Sequence, residues 1–429
     1  MPVTIEKLVY GGEGLARVSS GQGPAKTLFV PFVLDGEVVE AEPIEEKPGF
    51  TRARLQSLVQ RSPYRVEPAC PYFSHCGGCH LQHADYGRQL AVKEAMVRET
   101  LARIGKLELP CALQTHPSPA AWNYRNRTRL QLKMTPTFLL GYFRFRSHQL
   151  VPIEQCPISS PLINRALRLL WESGGKSLPG TAREIELFAD HSDERCSISL
   201  YCRPGIDRCA ARESAERIRE LLPMAVGVTV FSGGDDRKAG AGDLLAASGS
   251  TSLAYQTQHH RYRVSSASFF QVNRYLIDEL IALVTEQLSG MVALDVYAGV
   301  GLFSAILART FPKVIAIEAS TATCRDLRQN VPAAVEVANA TGDRFLTTWS
   351  GPRPDLVVVD PPRAGLGKEM VGALSRLAPA RIVYVSCDPA TMARDLAALR
   401  NSGYNIERAH LLDLFPQTYH IESVFHLSR

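Results

Sequence analysis

The sequence predicts an α/β protein in three parts: an OB-like antiparallel β-barrel, a central α+β region carrying a cysteine cluster, and a C-terminal doubly wound parallel sheet. Three observations predict it. The first sixty or so residues alternate apolar and polar and turn at glycines, three cysteines crowd into residues 70–79, and short apolar strands alternate with helical stretches in the last third. At 429 residues the chain exceeds one ordinary core, so several domains are expected, with boundaries at 1–62, 63–255 and 256–429.

The barrel is read from "IEKLVYGGEGLARV" and "TLFVPFVLDGEVVEAEP", where period-2 hydrophobicity meets turn glycines. Barrels of this kind often bind oligonucleotides. A net charge of +5 permits a polyanionic partner without demanding one. The start "MPVTIEKLVY" lacks the basic-then-apolar pattern of a secretory leader, and no apolar run approaches membrane-spanning length. A cytoplasmic location is expected, with no membrane partner. In that compartment ten cysteines are not expected to pair as disulfides.

A Pro- and Arg-rich connector, "QRSPYRVEPAC", leads to "CPYFSHCGGCHLQH". Its Cys70, Cys76 and Cys79 have the spacing C-x5-C-x2-C, and three thiolates need a fourth ligand for zinc or a cubane cluster. Cys156 in "IEQCPIS" is the candidate; His75, His80 and His83 are the alternatives for zinc. Cys111, Cys196, Cys202, Cys209 and Cys324 read as ordinary core or surface thiols. Between Trp122 and His148 lie six Lys/Arg, no Asp/Glu and six aromatics. That composition suits base stacking with phosphate contacts, and equally an amphipathic hairpin with solvated arginines.

In the last third, "RYLIDELIALVTEQL" has helical spacing and is expected to end at Ser289–Gly290. "MVALDV", "KVIAIEA", "DLVVVD" and "RIVYVS" are the parallel strands, and ligands of such sheets bind beyond the strands' carboxyl ends. Asp295 ends the first strand, and Gly299 and Gly301 let the backbone approach a ligand. Glu318, about twenty residues on, is placed for ribose hydroxyls. Ser304 stands where a dinucleotide fingerprint has its last glycine, which favours S-adenosylmethionine over a pyrophosphate cofactor. Asp343 is placed for an adenine edge. Asp360 precedes two prolines, a stiff turn suited to a flat ring.

Cys387 follows "RIVYVS" and precedes Asp-Pro and a helix, whose dipole is expected to favour thiolate. Glu422, among Ile421, Val424 and Phe425, is expected to have a raised pKa if buried, as a general base needs. A thiolate that adds to carbon 6 of uracil makes carbon 5 nucleophilic, and a base must then remove the carbon-5 proton.

With these residues in view, the chain resembles the RNA uracil-5-methyltransferases, most of all the iron–sulfur branch that modifies 23S ribosomal RNA. The similarity runs through "GGEGLARV", "SFFQVN", "DVYAGVGLFS", "DPPRAGL", "VSCDPATMARDL" and "HIESVFHL". It implies an N-terminal TRAM domain and a C-terminal Rossmann-like class I methyltransferase domain. It also implies Cys387 as nucleophile, Glu422 as base, and Gln271, Tyr297, Glu318, Asp343 and Asp360 around S-adenosylmethionine. Cys70, Cys76, Cys79 and Cys156 would then hold a [4Fe-4S] cluster, with zinc the alternative. Leu302 departs from the pattern, since many members have asparagine there. The implied partner is RNA rather than DNA, and a monomer is expected. A transfer-RNA target and a non-catalytic RNA-binding assembly factor are the alternatives; a binding factor would need neither Cys387 nor Glu422.

Overall fold

The computed structural model describes residues 2–18, 25–233 and 242–429. Six strands open the chain: β1 (Pro2–Thr4), β2 (Lys7–Val9), β3 (Glu13–Val18), β4 (Lys26–Pro31), β5 (Val38–Lys47) and β6 (Phe50–Gln60). They form one sheet in the order β1-β5-β6-β4-β3-β2. Its inward residues, among them Ile5, Leu28, Val30, Val33 and Val39, make a small core of their own. The long connector after β6 is pinned by Arg65, whose guanidinium pairs with the buried Glu37 carboxylate.

Helix α1 (Tyr86–Thr100) follows, capped by the Asp85 carboxylate on the Arg88 N–H, then β7 (Leu113–His116). The middle of the chain supplies β8 (Arg127–Lys133), β9 (Leu139–Phe143), β10 (Leu150–Pro152), α2 (Pro161–Glu172), β11 (Ala182–Ala189), β12 (Cys196–Cys202), α3 (Arg208–Leu221), β13 (Ala225–Ser232) and β14 (Asp243–Gly249). Its seven strands form one sheet, β10-β9-β8-β11-β12-β13-β14. Only the β12–β13 pair within it is parallel, because α3 is the crossover there.

The remaining elements are β15 (Ser252–Gln256), β16 (Arg261–Ser265), α4 (Ile277–Thr285), β17 (Val292–Val296), α5 (Ser304–Leu307), β18 (Lys313–Glu318), α6 (Thr321–Asn330), β19 (Glu336–Asn339), α7 (Gly342–Thr347), β20 (Leu356–Val359), α8 (Gly367–Leu377), β21 (Arg381–Ser386), α9 (Pro389–Asn401), β22 (Asn405–Leu412) and β23 (Glu422–Ser428). The sheet order is β19-β18-β17-β20-β21-β23-β22-β7. Strands β19 to β21 are parallel, whereas β23 runs antiparallel to both of its neighbours. Both faces are covered, which is why these strands read as continuous apolar runs. Val292, Leu294 and Val296 enter one core with α8 and α9; Ala293, Val358 and Val383 enter the other with α4 and α5.

Two features depart from the reading of the sequence. Helix α4 stops at Thr285, where Glu286 turns extended and Gln287 takes φ 58°. The short strand β7 leaves the middle of the chain and pairs in parallel with β22, so residues 86–116 pack against the last sheet.

Candidate active site

The carboxyl ends of β17, β18, β20 and β21 surround a cavity of about 630 Å³. It is lined by Gln271, Tyr297, Gly299, Leu302, Glu318, Asp360, Arg363, Cys387, His420 and Glu422. Thus six residues singled out from the sequence (Gln271, Tyr297, Glu318, Asp360, Cys387 and Glu422) share one space. Asp343 does not line it: it stands exposed in the first turn of α7, close enough to Tyr297 to raise that hydroxyl after burial has done so.

Strand register brings the two reactive side chains together. Ser386 pairs with Ser423 across β21 and β23, so the next step along the pair sets Cys387 beside Glu422. Ser423 Oγ donates to the Ser386 carbonyl at 3.2 Å and locks that register. Glu422 is 4% exposed. Its carboxyl is pushed well above the usual carboxylate range by burial and then by Asp360, against the pull of Arg363. Asp360 itself is raised to about 7 by burial and by Asp295.

The thiol departs from expectation. Cys387 is pushed up to about 12, first by burial, then by the charges of Glu422 and Asp360, with Arg363 opposing. The helix dipole does not rescue it, because Asp388 caps α9 itself. The Asp388 carboxylate accepts from the N–H groups of Ala390 at 3.0 Å and Thr391 at 2.9 Å, occupying these donors with a negative charge next to the sulfur.

The glycine turn divides its labour. Gly299 has φ 56° and a Cβ there would meet nothing, so its open side faces the cavity. Gly301 instead has φ 92° and an added Cβ would strike Leu327 at 2.7 Å; this glycine serves packing against α6, not ligand approach. Tyr297 takes φ 65°, a left-handed conformation costly for a tyrosine and common at functional turns. Glu318 accepts from the N–H groups of Gly299 and Ser320, joining turn to strand end. Ser304, in place of a third glycine, donates to the buried Asp295 carboxylate.

Gln271 is positioned from both sides. Ser268 Oγ donates to the buried Asp326 carboxylate at 2.7 Å, and Asn273 Nδ2 reaches Ser118 Oγ and the Leu414 carbonyl. Asn273 therefore ties this loop to the segment that leads into Glu422.

A second cavity, about 300 Å³, is lined by Cys70, Cys76, Cys79 and Cys156. Among the described residues, no three His, Cys, Asp or Glu side chains gather as a single ion would require. The histidine alternatives face elsewhere: His83 Nε2 bonds the Val33 carbonyl, His75 is exposed, and His80 packs on Tyr419 and Phe145. Cys202 lies in the core of β12 while Cys209 is exposed on α3, so these two form no site. Arg125 and His420 line both cavities and form their common wall.

The basic aromatic stretch is split between its two readings. Arg127 and Arg129 pair with Glu186, Arg146 pairs with Glu13, and Tyr124 is buried with its hydroxyl on the Pro416 carbonyl. Arg125, Lys133 and Arg144 have no ion-pair partner among these contacts, and Lys133 and Arg144 are exposed. The reading of the sequence passed over Arg363 and His420, although Arg363 sits three residues after Asp360 and His420 two before Glu422 in the motifs themselves. It also passed over Tyr10, on the turn between β2 and β3, whose hydroxyl reaches the Cys387 carbonyl at 3.5 Å while its ring packs edge-on against Tyr419.

The description of tRNA (uracil-5-)-methyltransferases matches residues 85–345 and 353–429. A protein named as an uncharacterized RNA methyltransferase of Halalkalibacterium halodurans is 31% identical over 444 residues, spanning 98% of this chain and 95% of its own. Another so named, from Aquifex aeolicus, is 32% identical over 431 residues and spans 99% and 97%. The crystal structure of Pyrococcus abyssi tRNA (uracil-54, C5)-methyltransferase with S-adenosyl-L-homocysteine superposes with a TM-score of 0.76 over the whole of both chains, at 28% identity. Matched over most of its length, the chain belongs to the tRNA (uracil-5-)-methyltransferase family and is an S-adenosylmethionine-dependent RNA methyltransferase.

Proposed function

We propose that the protein methylates carbon 5 of a uridine in RNA, with 23S ribosomal RNA as the target, Cys387 as nucleophile and Glu422 as base. The observation that carries this reading is the register that sets Cys387 beside a buried, charge-raised Glu422 within the cavity of about 630 Å³. Bound S-adenosylmethionine would supply the electrophilic methyl group. Glu318, Tyr297 and the open Gly299 turn would hold it, with Gln271 and Asp360 at the reacting end and Asp343 at the outer edge.

Cys387 adds to carbon 6 of a uracil flipped from its stack, and Glu422 later takes the carbon-5 proton so that the thiolate can leave. Burial and then the Asp360 charge raise Glu422, while Cys387 is raised by burial and then by Glu422 and Asp360. Arg363 is the chain's own counterweight, lowering both.

In the domain division we propose, residues 1–62 form a TRAM-like RNA-binding barrel, residues 63–255 the thiol-bearing and RNA-binding part, and residues 256–429 a Rossmann-like class I methyltransferase domain; the sheet order with β23 antiparallel supports the last. For Cys70, Cys76, Cys79 and Cys156 we favour a [4Fe-4S] cluster. Four thiols facing a cavity of about 300 Å³ support it. Zinc on the same four thiols is the alternative. The cluster would tie the connector after β6 to the Cys156 loop. An RNA substrate fits a cytoplasmic location.

A transfer-RNA target is the second reading, favoured by the full-length likeness to the Pyrococcus abyssi enzyme, whose name gives tRNA uracil-54. Both are tested by methyl transfer to unmodified total RNA with mass-spectrometric mapping. One 5-methyluridine in 23S RNA supports the first reading and one in tRNA the second; methylation of neither overturns both.

A further inference from the structure

Thiolate addition to uracil has a requirement that nucleophile and base do not meet. As the Sγ electron pair forms the bond to carbon 6, the π pair of the C5–C6 double bond shifts toward carbon 4, and negative charge gathers on the carbonyl oxygen there. In a site that excludes water, a hydrogen-bond donor must already stand at that oxygen.

His420 has the placement and the chemistry. Its ring lines the cavity that holds Cys387 and Glu422, two residues before Glu422 itself. Arg363 Nη2 lies 3.3 Å from His420 Nδ1. A guanidinium only donates, so Nδ1 must accept and the ring hydrogen must sit on Nε2. The imidazole is thereby fixed as a neutral donor with a cation behind it. Its pose is held by Phe415 and Tyr419, whose ring centroids lie 5.7 and 4.4 Å away, and by its own backbone N–H on Thr418 Oγ1. Arg125, the other cation in this wall, spends its Nε on the Arg127 carbonyl.

We propose that His420 is a further catalytic residue of the methyl transfer, its Nε2–H donating to the uracil carbonyl oxygen on which the enolate charge gathers. The inference rests on the uridine carbon-5 reading above. No proton passes to that oxygen. The charge returns to the ring twice: once when carbon 5 takes the methyl group, and again when Glu422 has accepted the carbon-5 proton, the enolate re-forms, and Sγ departs with its electron pair.

The test compares full-length wild type, His420→Ala and His420→Gln. The RNA that wild type methylates is transcribed with 5-fluorouridine, where the fluorine at carbon 5 cannot leave as a proton and the Cys387 adduct is trapped. In single turnover, His420→Ala should form the adduct on the order of 100-fold more slowly. His420→Gln, whose amide N–H stands close to the position of Nε2, should regain about tenfold of that loss. RNA affinity by filter binding should stay within about threefold of wild type for both variants.

The proposal is overturned if His420→Ala forms the adduct at the wild-type rate or if glutamine rescues nothing. It is also overturned if the loss follows bound iron or RNA affinity, since His420 would then serve the neighbouring cysteine cavity or the RNA surface. A wild-type protein that methylates uridine without any adduct refutes the uridine chemistry itself, and is recognised before the variants are compared.

Discussion

In the free protein Cys387 should be an unusually inert cysteine, although it is the residue assigned as nucleophile. Its thiol is raised to about 12 by burial, Glu422 and Asp360, against about 8.5 for a free cysteine. At neutral pH the thiolate fraction is therefore lower by a factor of about 3,000. A more basic thiolate attacks a disulfide faster, and a Brønsted slope near 0.45 returns a factor of about 40. Reaction with a small neutral disulfide such as dithiodipyridine should then be on the order of 100-fold slower than for cysteine in a peptide. Partial burial slows it further.

The assay is peptide-resolved mass spectrometry over time, with the exposed Cys209 as an internal reference. The rate should climb about tenfold per pH unit from 7 to 10 without a plateau. Glu422→Gln removes the largest charge acting on the thiol and should accelerate labelling; Arg363→Met removes the opposing cation and should slow it. A Cys387 that reacts within about threefold of the peptide, with a plateau between pH 8 and 9, would refute the electrostatic account.

Other outcomes follow from the same structure. Glu422→Gln should accumulate the covalent protein–RNA adduct, visible on a denaturing gel, because the carbon-5 proton has no acceptor; methyl transfer at the normal rate with no adduct would exclude Glu422 as base. Asp295 is raised to about 7 by burial, so the folded state holds its proton more tightly than the unfolded chain, and stability falls as pH rises from about 4 to 7. Asp295→Asn should raise the melting temperature at pH 8 but not at pH 4, and an equal shift at both would contradict this. Lys93 and Asp413 form a fully buried ion pair at 2.5 Å, with Lys93 also on the Phe415 carbonyl at the head of the segment carrying His420 and Glu422. Lys93→Met should cost about 3–5 kcal/mol in urea unfolding by stranding the Asp413 carboxylate, and Asp413→Leu in the same chain should recover most of it. Anaerobically purified protein should be brown, with iron and sulfide; colourless protein with stoichiometric zinc would reverse the cluster assignment.

The last sheet could be read from the sequence because both of its faces are covered, which leaves runs such as "DLVVVD" with no polar interruption. The residues beyond the strand ends could be read for the same reason, since a polar residue that closes such a run has few structural reasons to be there. What escaped depends on distance along the chain. Nothing in "LQTH" says that β7 will pair with β22, and the contact of Tyr10 with Cys387 joins residues 377 apart. The sequence suggests an activated thiol because Asp388 marks a helix start, whereas in the structure Asp388 is also a charge that takes the helix's own donors. Gly301 looked like a ligand-facing glycine, and only the position of Leu327 reveals its packing role.

The assignment of carbon 5 is tested most directly with RNA carrying tritium at carbon 5 of its uridines. Methyl transfer through Cys387 and Glu422 should release one tritium to water for every methyl group incorporated, and Cys387→Ala should abolish both signals together. Methyl incorporation without tritium release would place the modification on another atom and contradict the account.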